Sequence, residues 1–294
     1  MSAISNKKFL ITGERGFAGR HLLNKLKKEG GEVITLTDSK GKKIDIRQWK
    51  KIGSIEKLEG IDVVYHLAAV TYVPYSWENP RKTYEVNILG TLNVLELCRL
   101  YKVNKLVFVS SYVYGSPKYL PIDESHPMNP LNPYMRSKLI AEELCRTYHE
   151  DYDLNCIILR PFNIYGEGQN ERFLIPSICK QIVKKGVIVL KTPYPRRDYL
   201  YISDMIEACV KSGFYNGSGF EIFNIGMGES YSVDEIVKKA VGISGKKVKV
   251  QYTGEKRRGE IMNVIADITK AKQKLHWVPK VKLEEGLKFC YEKD

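Results

Sequence analysis

This 294-residue chain lacks most of the features that would assign it to a special class. Its six cysteines, Cys98, Cys145, Cys156, Cys179, Cys209 and Cys290, are widely spaced, with no Cys-x-x-Cys pair and no cluster with histidine. That pattern supports neither a zinc site nor a disulfide framework, so no metal is expected. Most of these cysteines fall in apolar stretches, where the residue behaves as a small hydrophobe. No segment approaches the roughly 20 apolar residues that span a bilayer. No apolar run of signal-peptide length precedes the first charges and glycines. The expected setting is a reducing cytoplasm, with no membrane partner. Internal repeats and low-complexity linkers are also missing. The net charge is +13, from 47 basic and 34 acidic side chains. Its lysines come only in short groups such as Lys25-Leu26-Lys27-Lys28 and Lys246-Lys247, so there is no basic arm and no nucleic-acid partner is expected. A diffuse cationic surface of this kind suits an anionic small molecule such as a nucleotide diphosphate.

Alternation of strands and helices runs through the first half. Short apolar strands are predicted at Lys8–Thr12, Glu32–Thr37, Lys43–Ile46, Val63–Leu67, Leu106–Val109 and Cys156–Leu159. Helices are predicted at about Gly19–Glu29, Thr83–Arg99 and Tyr134–Asp151. Such alternation implies an α/β fold with a Rossmann-type, doubly wound parallel sheet covered on both faces. Ligands bind such sheets at the carboxyl ends of the strands, which places Gly13, Asp38, Leu67, Ser110 and Asn163 along one crevice. Residues 1–166 are read as the dinucleotide-binding domain, with a returning segment near 198–228. Residues 167–294 are read mainly as a smaller α/β substrate domain, with helices at Arg172–Lys184, Ile202–Tyr215, Ser232–Val241 and Leu283–Glu292.

Two motifs carry the chemistry. Gly13-x-x-Gly16-x-x-Gly19 follows the first strand and opens a helix. Glycines there let backbone approach a pyrophosphate, and the helix N-terminus offers N–H groups. Asp38, about 20 residues further on, is the expected ribose acceptor and favours NAD over NADP. Arg15, Lys40, Lys42 and Lys43 lie near enough to take a 2′-phosphate instead, so NADP stays open. Tyr134 and Lys138 stand four residues apart on one helix face. An ammonium beside the phenol is expected to lower its pKa and make it a usable base.

In its ordered motifs the chain resembles the extended short-chain dehydrogenases/reductases that act on nucleotide sugars, the epimerase/dehydratase group. The resemblance rests on Thr12-Gly13-x-x-Gly16-Phe17-x-Gly19, His66-Leu67-Ala68-Ala69 and Asn87-x-x-Gly90-Thr91. It continues through Ser110-Ser111-Tyr112-Val113-Tyr114-Gly115, Tyr134-x-x-x-Lys138, Arg160-Pro161-Phe162-Asn163, Arg197-Asp198-Tyr199 and Arg258-Gly259-Glu260. It implies Tyr134 as general acid/base and Lys138 as its partner, binding the nicotinamide ribose. Ser110, with Ser111 as the close alternative, completes the triad. The implied dinucleotide contacts are Gly13, Arg15, Gly16, Phe17, Ala18, Gly19, Asp38, Asp45, Ile46, Leu67, Ala68, Ala69, Asn87, Tyr134, Lys138 and Pro161. The implied sugar-nucleotide contacts are Ser76, Ser111, Tyr134, Asn163, Arg172, Arg197 and Arg257 or Arg258, the register of the last pair being open by one residue. The resemblance also implies a homodimer through a four-helix bundle built from the Thr83–Arg99 and Tyr134–Asp151 helices.

Three reactions use this constellation. A nucleotide-sugar 4-epimerase with tightly held NAD is the expected activity. A 4-keto-6-deoxysugar reductase using NAD(P)H is the alternative, suited by Arg160-Pro161-Phe162-Asn163 and by the short chain. A 4,6-dehydratase needs acidic residues just before Val113-Tyr114-Gly115, where this chain has Ser111 and Tyr112. A non-catalytic dinucleotide sensor would be expected to have lost Tyr134 or Lys138, and both are present.

Overall fold

The computed structural model describes residues 3–291 apart from Ser39, Ser54, Glu56, Lys57, Lys185, Ser218 and Cys290. Its centre is a six-stranded sheet. In chain order the strands are β1 (Lys8–Thr12), β2 (Glu32–Thr35), β3 (Val63–His66), β4 (Lys105–Val109), β5 (Asn155–Pro161) and β6 (Phe220–Ile225). Their spatial order is β6-β5-β4-β3-β1-β2. Neighbours from β2 to β5 run parallel, with Lys8 opposite Glu32 and Phe9 opposite Val63. These strands are short and continuously apolar because helices cover both of their faces, and Phe9, Leu10, Ile11, Val64, Leu106 and Val107 are fully buried. The chain steps from β1 to β2 on one side and then returns to β3 on the other. That reversal makes the carboxyl ends of β1 and β3 the switch point of the sheet, where such folds bind ligands.

Three helices matter for the site: α1 (Phe17–Lys28), α2 (Gly90–Leu100) and α3 (Pro133–Tyr152). Helix α3 starts cleanly because Asn132 accepts the Met135 N–H and Pro133 stands in the first turn. It ends on Asp153 in a left-handed conformation. The predicted helix Thr83–Arg99 has a more complex form. Pro80–Tyr84 is α-helical, Glu85–Leu89 is a π-helical turn, and α2 follows. The wider turn carries Asn87, whose side chain reaches out of the helix to other segments.

Two sequence expectations are corrected here. Strand β2 stops at Thr35, and Lys43–Ile46 forms no strand, only a single bridge between Lys43 and Thr37. The cause is Asp38, whose carboxylate accepts the Lys40 and Lys42 N–H groups and folds the segment into a turn, with Gly41 at φ 73°. Ile44 and Ile46 are buried beside this turn and anchor it to the core.

The chain forms two compact units that interleave along the sequence. The first contains residues up to Val113, Met128–Arg160 and Ile206–Phe223; the second contains Tyr114–Pro127, Pro161–Met205 and residues from Asn224 onward. The second unit is made of short ladders. Asn163–Tyr165 runs parallel to Tyr199–Tyr201, Val187–Leu190 runs parallel to Lys249–Tyr252, and Arg196–Arg197 runs antiparallel to Tyr231–Ser232. Its best-defined helix, Val233–Ser244, opens on a capping box between Ser232 and Glu235. Among the described residues no helix is long and apolar enough to cross a membrane. Nor does any group of His, Cys, Asp and Glu among them suit a metal ion.

Candidate active site

The turn after β1 is built so that only glycine fits. Gly13 has φ 80°, and a Cβ on it would meet the Ala68 backbone nitrogen at 2.7 Å. A Cβ on Gly19 would sit 2.0 Å from the Gly13 carbonyl oxygen. The turn therefore lies directly against the segment after β3 that holds Leu67, Ala68 and Ala69. Helix α1 begins at Phe17 with no side-chain cap and no acidic residue in its first turn, which leaves its N–H groups and positive dipole end open to an anion. These features fit a dinucleotide pyrophosphate. Phe17 packs edge-on against His21, and Arg15 is exposed. Glu14 is the discordant member of the turn: it is buried, and its Oε1 faces the Arg15 guanidinium at 3.5 Å.

Beneath the turn lies a satisfied polar network. Thr12 Oγ1 is 2.6 Å from His66 Nδ1, and His66 Nε2 is 2.9 Å from Thr91 Oγ1. Thr91 donates its hydroxyl hydrogen to the Asn87 carbonyl, so it must accept from His66. The imidazole therefore carries a hydrogen on Nε2. Burial, helped by the charge of Lys138, pushes its pKa down to about 3. His66 is a core histidine, as its place in a buried strand suggests.

Of the other dinucleotide candidates, several have side chains committed within the protein. Asn87 accepts the Val70 N–H at 2.7 Å and donates to the Val70 carbonyl and to Ser137 Oγ. Asp45 is bound by Arg47, which pulls its carboxyl down to about 2, and Arg47 also reaches Glu85. Ile46 is buried in the core, where a Cβ on Gly90 would strike it. Pro161 is buried at the end of β5. Asp38 is exposed in its turn, and Arg15 reaches across to the Gly41 carbonyl of the same turn at 3.4 Å.

The two serines after β4 separate clearly. Ser110 is buried and donates its hydroxyl to Glu142. Ser111 is half-buried, and its hydroxyl is the hydrogen-bond partner of the Tyr134 phenol. Lys138 is buried one helical turn from Tyr134; its ammonium donates to the Val109 carbonyl at 2.8 Å and lies over the Phe108 ring. Burial lowers the lysine to about 8, with Glu142 and then Cys145 opposing. The expectation that Lys138 lowers the phenol is not met. Burial raises the Tyr134 pKa, and the hydrogen bond from Ser111 is what pulls it down. Spacing correctly places the two residues on one face, but the ammonium is held by a backbone carbonyl.

Glu142 was not anticipated, although its position four residues beyond Lys138 on the same helix face was visible. It pairs with Arg160, with Nη2 to Oε2 at 2.6 Å.

In the second unit, Arg197 is fixed by donating to the Arg196 and Ile261 carbonyls. Arg197 and Arg257 both act on the buried Tyr199, whose phenol burial raises to about 12 and these two cations lower. Arg257, like Arg197, therefore lies near the Tyr199 phenol. Asn163 donates its amide to the Asp198 carbonyl. Asp198 itself is buried and accepts the Met227, Gly228 and Ala266 N–H groups, and burial raises it to about 6. Ser76 is buried and donates to the Val73 carbonyl. Arg172 is exposed, with its guanidinium over Phe173.

Comparison with known proteins extends this picture. The family model described as NAD dependent epimerase/dehydratase matches residues 9–226. The UDP-glucose 4-epimerase of Lactobacillus helveticus is 32% identical, over 93% of this chain and 92% of its own. The structure of UDP-glucose 4-epimerase from Thermotoga maritima with UDP-glucose is 30% identical and superposes with a TM-score of 0.90, covering 97% of each chain. The structure of RMD from Pseudomonas aeruginosa with NADPH is 26% identical, with a TM-score of 0.89, covering 97% of this chain and 98% of that one.

Proposed function

Because the chain belongs to the NAD-dependent epimerase/dehydratase family, we propose that it is a nucleotide-sugar 4-epimerase that keeps its NAD tightly bound. The observation that carries this reading is the Ser111–Tyr134 contact with Lys138 one helical turn away. When bound, the dinucleotide would supply the acceptor, and then the donor, of the C4 hydride. The glycine turn and α1 hold its pyrophosphate. Tyr134 takes the C4 hydroxyl proton as the 4-keto sugar forms and gives it back afterwards. Ser111, not Ser110, holds the reacting oxygen, because Ser110 is committed to Glu142. Lys138 binds the nicotinamide ribose. We assign the dinucleotide to the first unit, and the nucleotide sugar's diphosphate to Arg197, Arg257 and Asn163 of the second. Arginine suits a diphosphate because its planar fork donates in pairs. The similarity to UDP-glucose 4-epimerases supports this reading.

A specific observation favours a second reading, an NADPH-dependent 4-ketoreductase. Asp38 lies beyond the end of β2 and uses its carboxylate to hold its own turn, while Arg15 reaches that turn. That arrangement puts a cation beside the turn that carries Asp38, and the RMD neighbour was solved with NADPH.

The helix pair also offers a dimer face. Leu89, Leu100, Ile140 and Tyr152 are exposed apolar residues on α2, the π turn before it and α3. We propose that they bury each other in a homodimer.

The test is to purify the protein without added cofactor, denature it and quantify the released dinucleotide, then assay UDP-hexose 4-epimerisation. Near-stoichiometric NAD(H) with interconversion of the 4-epimers supports the epimerase. An empty protein that oxidises NADPH on a nucleotide 4-keto-6-deoxy sugar selects the reductase.

A further inference from the structure

We infer that Ser110, Glu142 and Arg160 form a buried positioning triad that keeps Ser111 against Tyr134 and the Lys138 ammonium charged. The inference builds on the proposed roles of Tyr134 and Lys138. Glu142 Oε1 accepts the Ser110 hydroxyl and Arg160 Nε at 3.1 Å, and Oε2 accepts Arg160 Nη2 at 2.6 Å. Ser110, Glu142 and Arg160 are 3%, 3% and 1% exposed. Arg160 Nη2 also contacts Met128 Sδ at 3.3 Å. A buried ion pair is weak evidence of stability by itself, because desolvation offsets much of its attraction. Its position suggests a different use.

Three consecutive residues at the end of β4 meet three residues on one stripe of α3. The Val109 carbonyl receives Lys138, Ser110 binds Glu142, and Ser111 meets Tyr134. The helix residues are spaced by four, so they stand one above another on one face. Glu142 is thus the outer pin of a three-pin joint between strand end and helix. Arg160, the penultimate residue of strand β5, holds that pin, and the Ser110 N–H is bonded to the adjacent Leu159 carbonyl at 2.8 Å. The joint fixes the strand end, and with it the Ser111 hydroxyl.

The same carboxylate acts on Lys138. The titratable and charged groups around that lysine are Tyr134, Glu142 and Cys145 on its own helix, His66 on β3, which stays neutral, and Arg160 on β5, which faces Glu142. Glu142 alone among them is an anion, so it supports the ammonium against burial.

The experiment reads Lys138 directly, in full-length protein with 13C-labelled lysine Cε, by NMR titration, with the signal assigned by its loss in Lys138→Met. In Glu142→Gln the Lys138 midpoint falls by about one pH unit from its starting value, and the basic limb of the kcat profile moves with it. A fall of one unit from about 8 leaves roughly one-fifth of the ammonium at pH 8. Glu142→Asp keeps the charge and returns the midpoint to near the wild-type value. Ser110→Ala, a small change that removes one pin, lowers kcat about ten-fold or more with the nucleotide-sugar KM unchanged and the Lys138 midpoint unmoved. An unmoved midpoint in Glu142→Gln, or a wild-type kcat in Ser110→Ala, overturns the inference. Absence of turnover in the wild type would instead sink the proposed function, and the NMR titration would still decide the role of Glu142.

Discussion

Lowering the pH should weaken the fold through His66, by an amount that can be worked out. In the folded chain the imidazole is fully buried, donates to Thr91 and accepts from Thr12, and titrates at about 3. In the unfolded chain an ordinary histidine titrates near 6.5. Between those values the unfolded state binds the extra proton, so stability falls as the pH falls. From pH 7.5 to pH 4.5 the loss is about 2.7 kcal/mol, set by the two pH units between 6.5 and 4.5 at roughly 1.36 kcal/mol each.

Asp198 works in the opposite direction. Its folded pKa of about 6 lies above the ordinary aspartate value, so the folded state binds the extra proton and stability rises as the pH falls through that window. Other carboxylates add their own contributions. The comparison must therefore be made against a variant in which only the histidine is gone. His66→Gln keeps a donor toward Thr91 and does not titrate. Urea unfolding of both proteins, followed by circular dichroism at pH 7.5, 6.5, 5.5 and 4.5, should give two curves that converge as acid is added. Wild type should lose about 2.7 kcal/mol more than His66→Gln over that range. Parallel curves would refute the reasoning, because they would mean His66 is either already charged or freely solvated in the folded state.

Three further outcomes are expected. Tyr134→Phe should keep the fold and the dinucleotide but reduce turnover by about 10²–10⁴-fold, and retention of wild-type turnover would remove Tyr134 as the acid/base. Gly13→Ala must place a side chain at φ 80° and against the Ala68 backbone; the left-handed conformation alone costs about 1–2 kcal/mol, so NAD affinity by calorimetry should drop at least about ten-fold. Arg197→Ala and Arg257→Ala should each raise the nucleotide-sugar KM by roughly 10–100-fold, the worth of a charged hydrogen bond, whereas Arg258→Ala should change it little; equal effects at Arg257 and Arg258 would reject the assignment.

What could be read from the sequence was local. The glycine turn is set by spacing within seven residues, and Tyr134 with Lys138 by one helical turn. The glycine turn emerged at the switch point of a sheet whose alternation was visible in the apolar runs, and Tyr134 with Lys138 at the end of β4. The misreadings have tertiary or side-chain causes. Leu36 and Thr37 continue the pattern of β2, yet Asp38 folds back on the Lys40 and Lys42 amides and ends the strand early. An i→i+5 turn at Asn87 has no distinct hydrophobic period, so the helix from Thr83 looked uninterrupted. Counting back from Val113 could not separate Ser110 from Ser111, because the difference between them is made by Glu142 on another element. The ladders of the second unit are two to four residues long, below the length at which a period-two pattern can be recognised.

The buried polar residues of the first unit explain one another when followed in sequence along their bonds. Thr12 binds His66, His66 donates to Thr91, and Thr91 donates to the Asn87 carbonyl. The Asn87 side chain donates to Ser137, and Ser137 donates to the Tyr134 carbonyl at 2.7 Å. The chain of contacts thus begins at the strand residue beside the glycine turn and ends at the backbone of the proposed catalytic tyrosine. All five side chains on it are essentially excluded from water, where an unpaired polar group costs about 1–3 kcal/mol. Each therefore depends on its neighbours for a partner, and the π-helical turn is what points Asn87 at Ser137. The turn that fits a dinucleotide and the helix that carries Tyr134 are in this way held in one register by satisfied hydrogen bonds, with no charge among them.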